Sequence, residues 1–324
     1  MDEDPPEIPL DMRPDPAGVS FDLGRALSSV VSIRAEIPAD AFTAGALGTD
    51  RRGHGVVIAD GGLVLTIGYL IVEAASVWLI DAGGRAVAGH VIGYDQETGF
   101  GLVQPLNPAG LSPIEIGRSG DLAVGEPVIF AGSGGRAKAL STHVASIREF
   151  AGYWEYLLDE AIFTSPPHPL WGGGSLIGDD GTLRGIGSLF VQDSAAGKEP
   201  LDGNMVVPID LLEPILDDMI ASGHSNRPRR PWLGMFTAEA VDKVVVAGLW
   251  DGGPAEAAGV EIGDLVLEVD GVPVTSMAEM FRRIWSLGEA GVEVPLILFH
   301  DRGVREILVP SASREDFHKP PRMH

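Results

Sequence analysis

The only run of three consecutive glycines in this 324-residue chain is Gly172 to Gly174, and Ser175 follows it. Such a run either cradles a phosphate or makes a tight turn. No lysine follows, and no strand-to-helix pattern surrounds it, so a turn is expected. The eight histidines, His318 and His324 near the end among them, are scattered. They form no His-x-x-x-His pair and have no closely spaced carboxylates, so the common zinc patterns are missing. The acidic clusters Asp95-Gln96-Glu97 and Asp159-Glu160 lack the spacing of a calcium loop and read as solvated surface. With no cysteine, disulfides, thiolate metal sites and cysteine nucleophiles are excluded. The expectation is no metal and no cofactor.

Any chemistry must therefore come from how the fold assembles ordinary side chains. Forty-six acidic against 23 basic residues give a formal net charge of −23, which repels nucleic acid and anionic membrane. No stretch of about 20 apolar residues could span a bilayer. The opening "MDEDPPEIPLDMRPDPAGVS" has neither a basic segment nor an apolar core, so it is no secretory signal, and a cytoplasmic location is expected if Met1 is the native start. Forty-three glycines, 24 prolines and 6% aromatics favour short strands and many turns.

Residues 1–19 are acidic and proline-rich and read as a flexible arm. Residues 20–223 hold β-type runs such as "SSVVSIRA", "GVVIADGGLVLTI", "PVIFAG" and "TLRGIGSLFV", whose lengths indicate an antiparallel barrel or sandwich. Over 208–223 the period becomes helical, with Leu211, Leu212, Ile215, Leu216, Met219 and Ile220 on one face, Pro208 before and Gly223 after. Residues 224–231, "HSNRPRRP", mark a linker, 232–311 a compact unit with one clear helix around 277–287, and 312–324 a loose tail.

Within that last unit, "DGGPAEAAGVEIGDLVLEVDGVPV" carries Pro254, Ala255, Ala258, Gly259, Gly263, Asp264 and Gly271 in the order found in PDZ domains, which it resembles. Its glycines would take positive φ where the chain doubles back. The resemblance implies capture of an extended peptide or free C-terminus beside a strand. The carboxylate-binding loop falls on Trp232, Leu233, Gly234 and Met235, and the facing helix wall on Met280, Phe281 and Ile284, with Met277 on the same face. Arg282 and Arg283, on the exposed side, would suit an acidic peptide.

The preceding region resembles the trypsin-like barrel of the HtrA/Deg family through "GHGVVIADGGLVLT", "VIGYDQETGFGLVQ", "GGGSLIGDDGTLRGIGS" and "DGNMVVPIDLLEPIL". The implied fold is mainly β, a double antiparallel β-barrel domain followed by a C-terminal PDZ domain. The resemblance also implies a hydroxyl nucleophile, an imidazole base and an orienting carboxylate. Those three positions fall on Gly172, Tyr69 and Gly99. A phenol with a pKa near 10 is no base at neutral pH. Trp171, in the turn whose N–H groups would form an oxyanion hole, is expected to fill the cleft. A relocated triad would have to combine His54 or His168 with Ser165 or Ser175 and Asp95 or Glu97.

The expectation is thus a non-catalytic pseudoprotease that serves as a protein-binding adaptor, scaffold or accessory subunit. The alternative is an active serine endopeptidase of protein quality control with a relocated triad. The expected partner is a protein or peptide presenting a C-terminal or extended segment. A larger complex and a homo-oligomer remain open.

Overall fold

The structure is a computed structural model that describes residues 7–108, 110–193, 201–301 and 303–319. The chain divides into two compact units, one built from residues up to 148 with 160–226 and 319, the other from 149–159 and 227–318.

The first unit contains two closed six-stranded barrels. Strands β1 (Val30–Glu36), β2 (Asp50–Val57), β3 (Val64–Ile67), β4 (Ser76–Ile80), β5 (Ala86–Tyr94) and β6 (Phe100–Pro105) close in the order β1-β2-β3-β6-β5-β4. Strands β7 (Pro127–Ala131), β8 (Ala139–Gly152), β9 (Tyr156–Ser165), β10 (Ser175–Ile177), β11 (Leu183–Asp193) and β12 (Leu201–Pro208) close in the order β10-β11-β12-β9-β8-β7. Closure removes exposed strand edges, and alternate residues such as Val31, Ile33 and Ala35 of β1 point into a dry interior. Helices α1 (Leu23–Ser28) and α2 (Ala44–Leu47) are short; Asp22 caps α1 by accepting the Arg25 N–H at 2.9 Å.

The expected helix over 208–223 is a 3₁₀ turn, Ile209–Leu211, followed by α3 (Glu213–Ser222). Pro214 in its first turn is tolerated because the missing N–H has no partner there anyway. Leu212, Ile215 and Met219 are buried, while Ile220, expected on the apolar face, is 50% exposed.

In the second unit β13 (Met235–Glu239), β14 (Val244–Leu249), β15 (Leu265–Val269), β16 (Val272–Pro273), β17 (Glu293–His300) and β18 (Gly303–Pro310) form one sheet, ordered β13-β14-β15-β17-β18 with β16 on β15. Helix α4 (Pro254–Ala257) precedes β15, and α5 (Met277–Ser286) precedes β17. Ser276 Oγ caps α5 by accepting the Glu279 N–H, and the Glu279 carboxylate reaches back to the Thr275 N–H at 2.9 Å. Gly259, Gly263 and Gly271 have φ of +87°, +96° and +70°, as their turns require.

Two expected flexible segments are ordered where they are described. In the 1–19 arm, Ile8 is buried and its N–H donates to the Ala137 carbonyl at 2.9 Å, while Arg136 Nε donates to the Pro14 carbonyl at 2.7 Å. One isoleucine in a hydrophobic site outweighs the composition of its neighbours. In the 312–324 tail, Ala312 exchanges two backbone hydrogen bonds with Trp232, and Phe317 packs edge-on against the Trp232 ring at 5.0 Å. The rest of both segments, residues 1–6 and 320–324, lies outside the described residues.

Candidate functional site

At the end of β3, Thr66 Oγ1 donates to the His54 carbonyl at 2.6 Å, and the Gly68 N–H donates to the Gly99 carbonyl at 2.7 Å. The 3₁₀ turn that follows, Gly68–Leu70, carries Tyr69. Its hydroxyl donates to the Ser188 carbonyl at 2.7 Å, and a Cβ built on Gly172 would lie 2.9 Å from Tyr69 Oη. The structure therefore brings Tyr69, Gly99 and Gly172 into one neighbourhood. Burial pushes the Tyr69 phenol above its ordinary value, so it acts at neutral pH as a neutral donor and not as a base. Gly99 sits at φ +83°, a conformation that favours glycine, at the end of a turn closed by Asp95.

The glycine run is a turn. The Gly173 N–H donates to the Gly187 carbonyl at 2.8 Å, the Gly174 N–H donates to the Trp171 carbonyl at 3.1 Å, and the Gly172 carbonyl accepts from the His54 N–H at 2.8 Å. The Leu170 N–H, two residues before Gly172, donates to His168 Nδ1 at 3.0 Å. Trp171 lies half-buried against the core cluster of the second barrel and 5.8 Å from the Phe190 ring.

Most residues of a relocated triad have hydrogen-bond partners outside one another. Asp95 Oδ2 accepts from the Thr98 N–H and hydroxyl, both at 2.8 Å, and Oδ1 accepts from Ser225 Oγ at 2.9 Å. Glu97 lies in that same turn. Ser175 Oγ faces the Ala131 carbonyl at 3.4 Å, and Ser165 Oγ donates to the Asp202 carbonyl at 3.0 Å. His54 Nδ1 accepts from the Ser133 N–H at 3.1 Å. Among the described residues no group of three or more metal-ligating side chains comes together, and no helix is long and apolar enough to cross a membrane.

In the second unit the residues around Gly234 (φ +77°) turn three backbone N–H groups toward one point. Those of Leu233, Gly234 and Met235 meet Glu155 Oε1 at 3.3, 2.7 and 3.0 Å, and the Leu233 N–H also meets Oε2 at 3.0 Å. This is a nest built for a carboxylate. Trp232, Leu233 and Met235 have buried side chains, so the loop contributes its backbone. Met280, Phe281 and Ile284, expected to wall an open groove, are fully buried in the core of this unit together with Leu157. Arg282 is ion-paired with Glu149 at 2.5 Å and with Asp159, and Arg283 is paired with Asp270.

Residues 53–186 match the family model for a trypsin-like peptidase domain and residues 245–289 that for a PDZ domain. In this pairing of a trypsin-like match with a following PDZ match the chain is similar to HtrA-type proteases. Serine protease PepD of Mycobacterium tuberculosis is 26% identical over 295 residues, covering 84% of this chain and 61% of PepD. The DegS serine endoprotease of Salmonella typhimurium is 23% identical over 306 residues, covering 88% and 83%. Among solved structures, the HtrA-type protease AlgW with a decapeptide superposes with a TM-score of 0.54 at 17% identity over 93% of this chain and 98% of its own. The serine endoprotease from Yersinia pestis gives 0.51 at 20% identity, covering 91% and 98%. The chain thus spans about three fifths of PepD's length.

Two histidines, His54 and His168, are buried in the first unit. His168 Nε2 faces the Lys138 carbonyl at 3.0 Å while Nδ1 accepts from Leu170, which selects the neutral Nε2–H tautomer. Asn204 clamps its backbone, accepting the His168 N–H at 2.6 Å and donating to its carbonyl at 3.2 Å. Burial pushes both His54 and His168 down to about 4. Unfolded imidazoles take up protons near 6.5, so between these values the unfolded state binds more protons and stability falls with falling pH. Each ring should remove up to about 3 kcal/mol between pH 6.5 and 4. Urea unfolding at pH 7.5, 6.5, 5.5 and 4.5 measures this, and a flat profile from 7.5 to 5.5 would contradict it.

Sequence inspection also missed Glu155. It lies 78 residues before Leu233 in an aromatic stretch, and no local pattern links them.

Proposed function

We propose that this HtrA/Deg-type chain binds a protein partner without cleaving it, as a pseudoprotease adaptor whose PDZ unit recognises a C-terminal or extended segment. The observation that carries this reading is the position of the Tyr69 hydroxyl, bonded to the Ser188 carbonyl and only 2.9 Å from where a side chain on Gly172 would begin. A side chain at Gly172 would press on that hydroxyl, and the hydroxyl holds its proton. The N–H of Leu170, which would help hold an oxyanion, donates to His168 instead. The loop of converging N–H groups at Leu233 to Met235 supports the binding half of the reading. A net charge of −23 argues against nucleic acid as the partner.

A fluorophosphonate probe that reacts with activated serines provides the test. No labelling of the full chain is expected, under conditions that label an HtrA protease completely. Clean labelling of one serine, lost on Ser175→Ala or Ser165→Ala, would establish the relocated endopeptidase in place of the adaptor.

A further inference from the structure

A carboxylate nest with a carboxylate already in it is an occupied site. The occupant, Glu155, belongs to residues 149–159, the tip of the hairpin between β8 and β9, which fold with the PDZ unit. One backbone hydrogen bond lays it beside β13, and three side-chain contacts anchor its flanks. The Tyr153 carbonyl accepts the Thr237 N–H at 2.9 Å. Thr237 lies two residues beyond Met235, and Tyr153 two residues before Glu155, which is the two-residue step by which a paired strand repeats. Leu157 enters the apolar cluster that holds Leu233, Met235, Phe281 and Ile284. Glu149 and Asp159 both pair with Arg282 of α5.

We infer that residues 153–157 are an internal pseudo-ligand of the PDZ groove, with the Glu155 side chain standing in for the terminal carboxylate of a partner, which can bind only after the tip withdraws. This rests on the reading of the PDZ unit as a peptide-capturing module. The contacts that must be replaced define the partner: an acidic segment that ends in an aliphatic residue with a free carboxylate. The terminal carboxylate takes the nest, the aliphatic side chain replaces Leu157, and upstream acids replace Glu149 and Asp159 on Arg282.

The docked tip is held against opposing costs. Glu155 has φ +61°, a backbone region that non-glycine residues occupy only when their surroundings impose it. Burial pushes its carboxyl up to about 7, although the N–H groups of Met235, Leu233 and Gly234 and the charge of Arg314 pull the other way. An incoming main-chain carboxylate would meet the same nest without that backbone strain.

The test compares the full chain with its Glu155→Ala variant. The probe is a fluorescein-labelled decapeptide with aspartates and glutamates first and Tyr-Trp-Leu with a free carboxylate last; a copy with an amidated terminus is the control. Anisotropy should show the free-acid peptide binding the variant about tenfold more tightly or better, the gain expected when the competent state rises from a tenth or less of the population. The amidated copy should gain nothing. Without peptide, hydrogen exchange of the Leu233, Gly234 and Met235 amides should accelerate in the variant. Thermal unfolding checks that the variant is folded. If it is not, Glu149→Lys combined with Asp159→Lys, both at exposed positions, should raise affinity about threefold through loss of two surface ion pairs. Equal affinity for wild type and variants, or amides that remain protected in Glu155→Ala, overturns the pseudo-ligand while leaving peptide capture intact. Amides that open while the peptide binds neither form support the internal contact and overturn peptide capture instead.

Discussion

Gly173→Ala is expected to lower the stability of the first unit by about 4 kcal/mol or more, a loss large enough to leave little folded barrel in mild denaturant. Gly173 has φ +76°, and an L-residue there costs about 1–2 kcal/mol by itself. The added Cβ would also fall 1.8 Å from the His54 carbonyl oxygen and 2.7 Å from Thr66 Oγ1. Neither atom is free to retreat, because Thr66 Oγ1 donates to that same oxygen at 2.6 Å and the His54 N–H holds the Gly172 carbonyl at 2.8 Å. Gly125→Ala separates strain from collision, since Gly125 has φ +89° with nothing within 4 Å of its Cβ position. That control should cost only about 1 kcal/mol. Urea unfolding followed by circular dichroism measures both, and equal losses would show that the tight approach at Gly173 is not what the geometry describes.

Hydrolysis of an unfolded protein substrate is expected to be undetectable, at least about 10⁴-fold below a protease with an intact triad, since losing triad members removes that much or more. The proposal of an inactive centre makes a sharper claim about restoration. Gly172→Ser alone should destabilise by about 1–3 kcal/mol, because its Cβ meets Tyr69 Oη at 2.9 Å while that hydroxyl is held by Ser188. Adding Tyr69→His should relieve much of the loss, giving a coupling of about 1 kcal/mol in a double-mutant cycle. Activity should stay absent even with Gly99→Asp, because the Leu170 N–H remains bonded to His168 Nδ1. Turnover by the triple variant, measured with a fluorogenic peptide, would show that the turn before Gly172 still offers an oxyanion hole.

Much of this architecture is legible in the chain because it is written locally. Alternating apolar residues and glycine turns mark the strands, and the barrel, helix and PDZ segments follow one another in sequence. Tyr69, Gly99 and Gly172 can be picked out because each sits inside a short motif that keeps its neighbours. The order of residues 7–19 was hidden by their composition, since burial of Ile8 and its bond to Ala137 depend on the 3₁₀ turn Gly135–Lys138 between β7 and β8. Periodicity marks the face of α5 as apolar but cannot divide core from groove, and Met280, Phe281 and Ile284 all lie in the core.

What the sequence alone determined is the set of parts: two β-rich domains, the glycine and tyrosine turns that carry Tyr69, Gly99 and Gly172, and a loop able to present backbone N–H groups. Tertiary structure alone decided which partners those parts meet. A tyrosine hydroxyl finds a carbonyl 119 residues away, and the nest at Leu233 to Met235 closes on Glu155, 78 residues earlier. A backbone N–H donates to any acceptor oxygen the fold delivers, so the occupant of such a site is a property of long-range packing and not of local pattern.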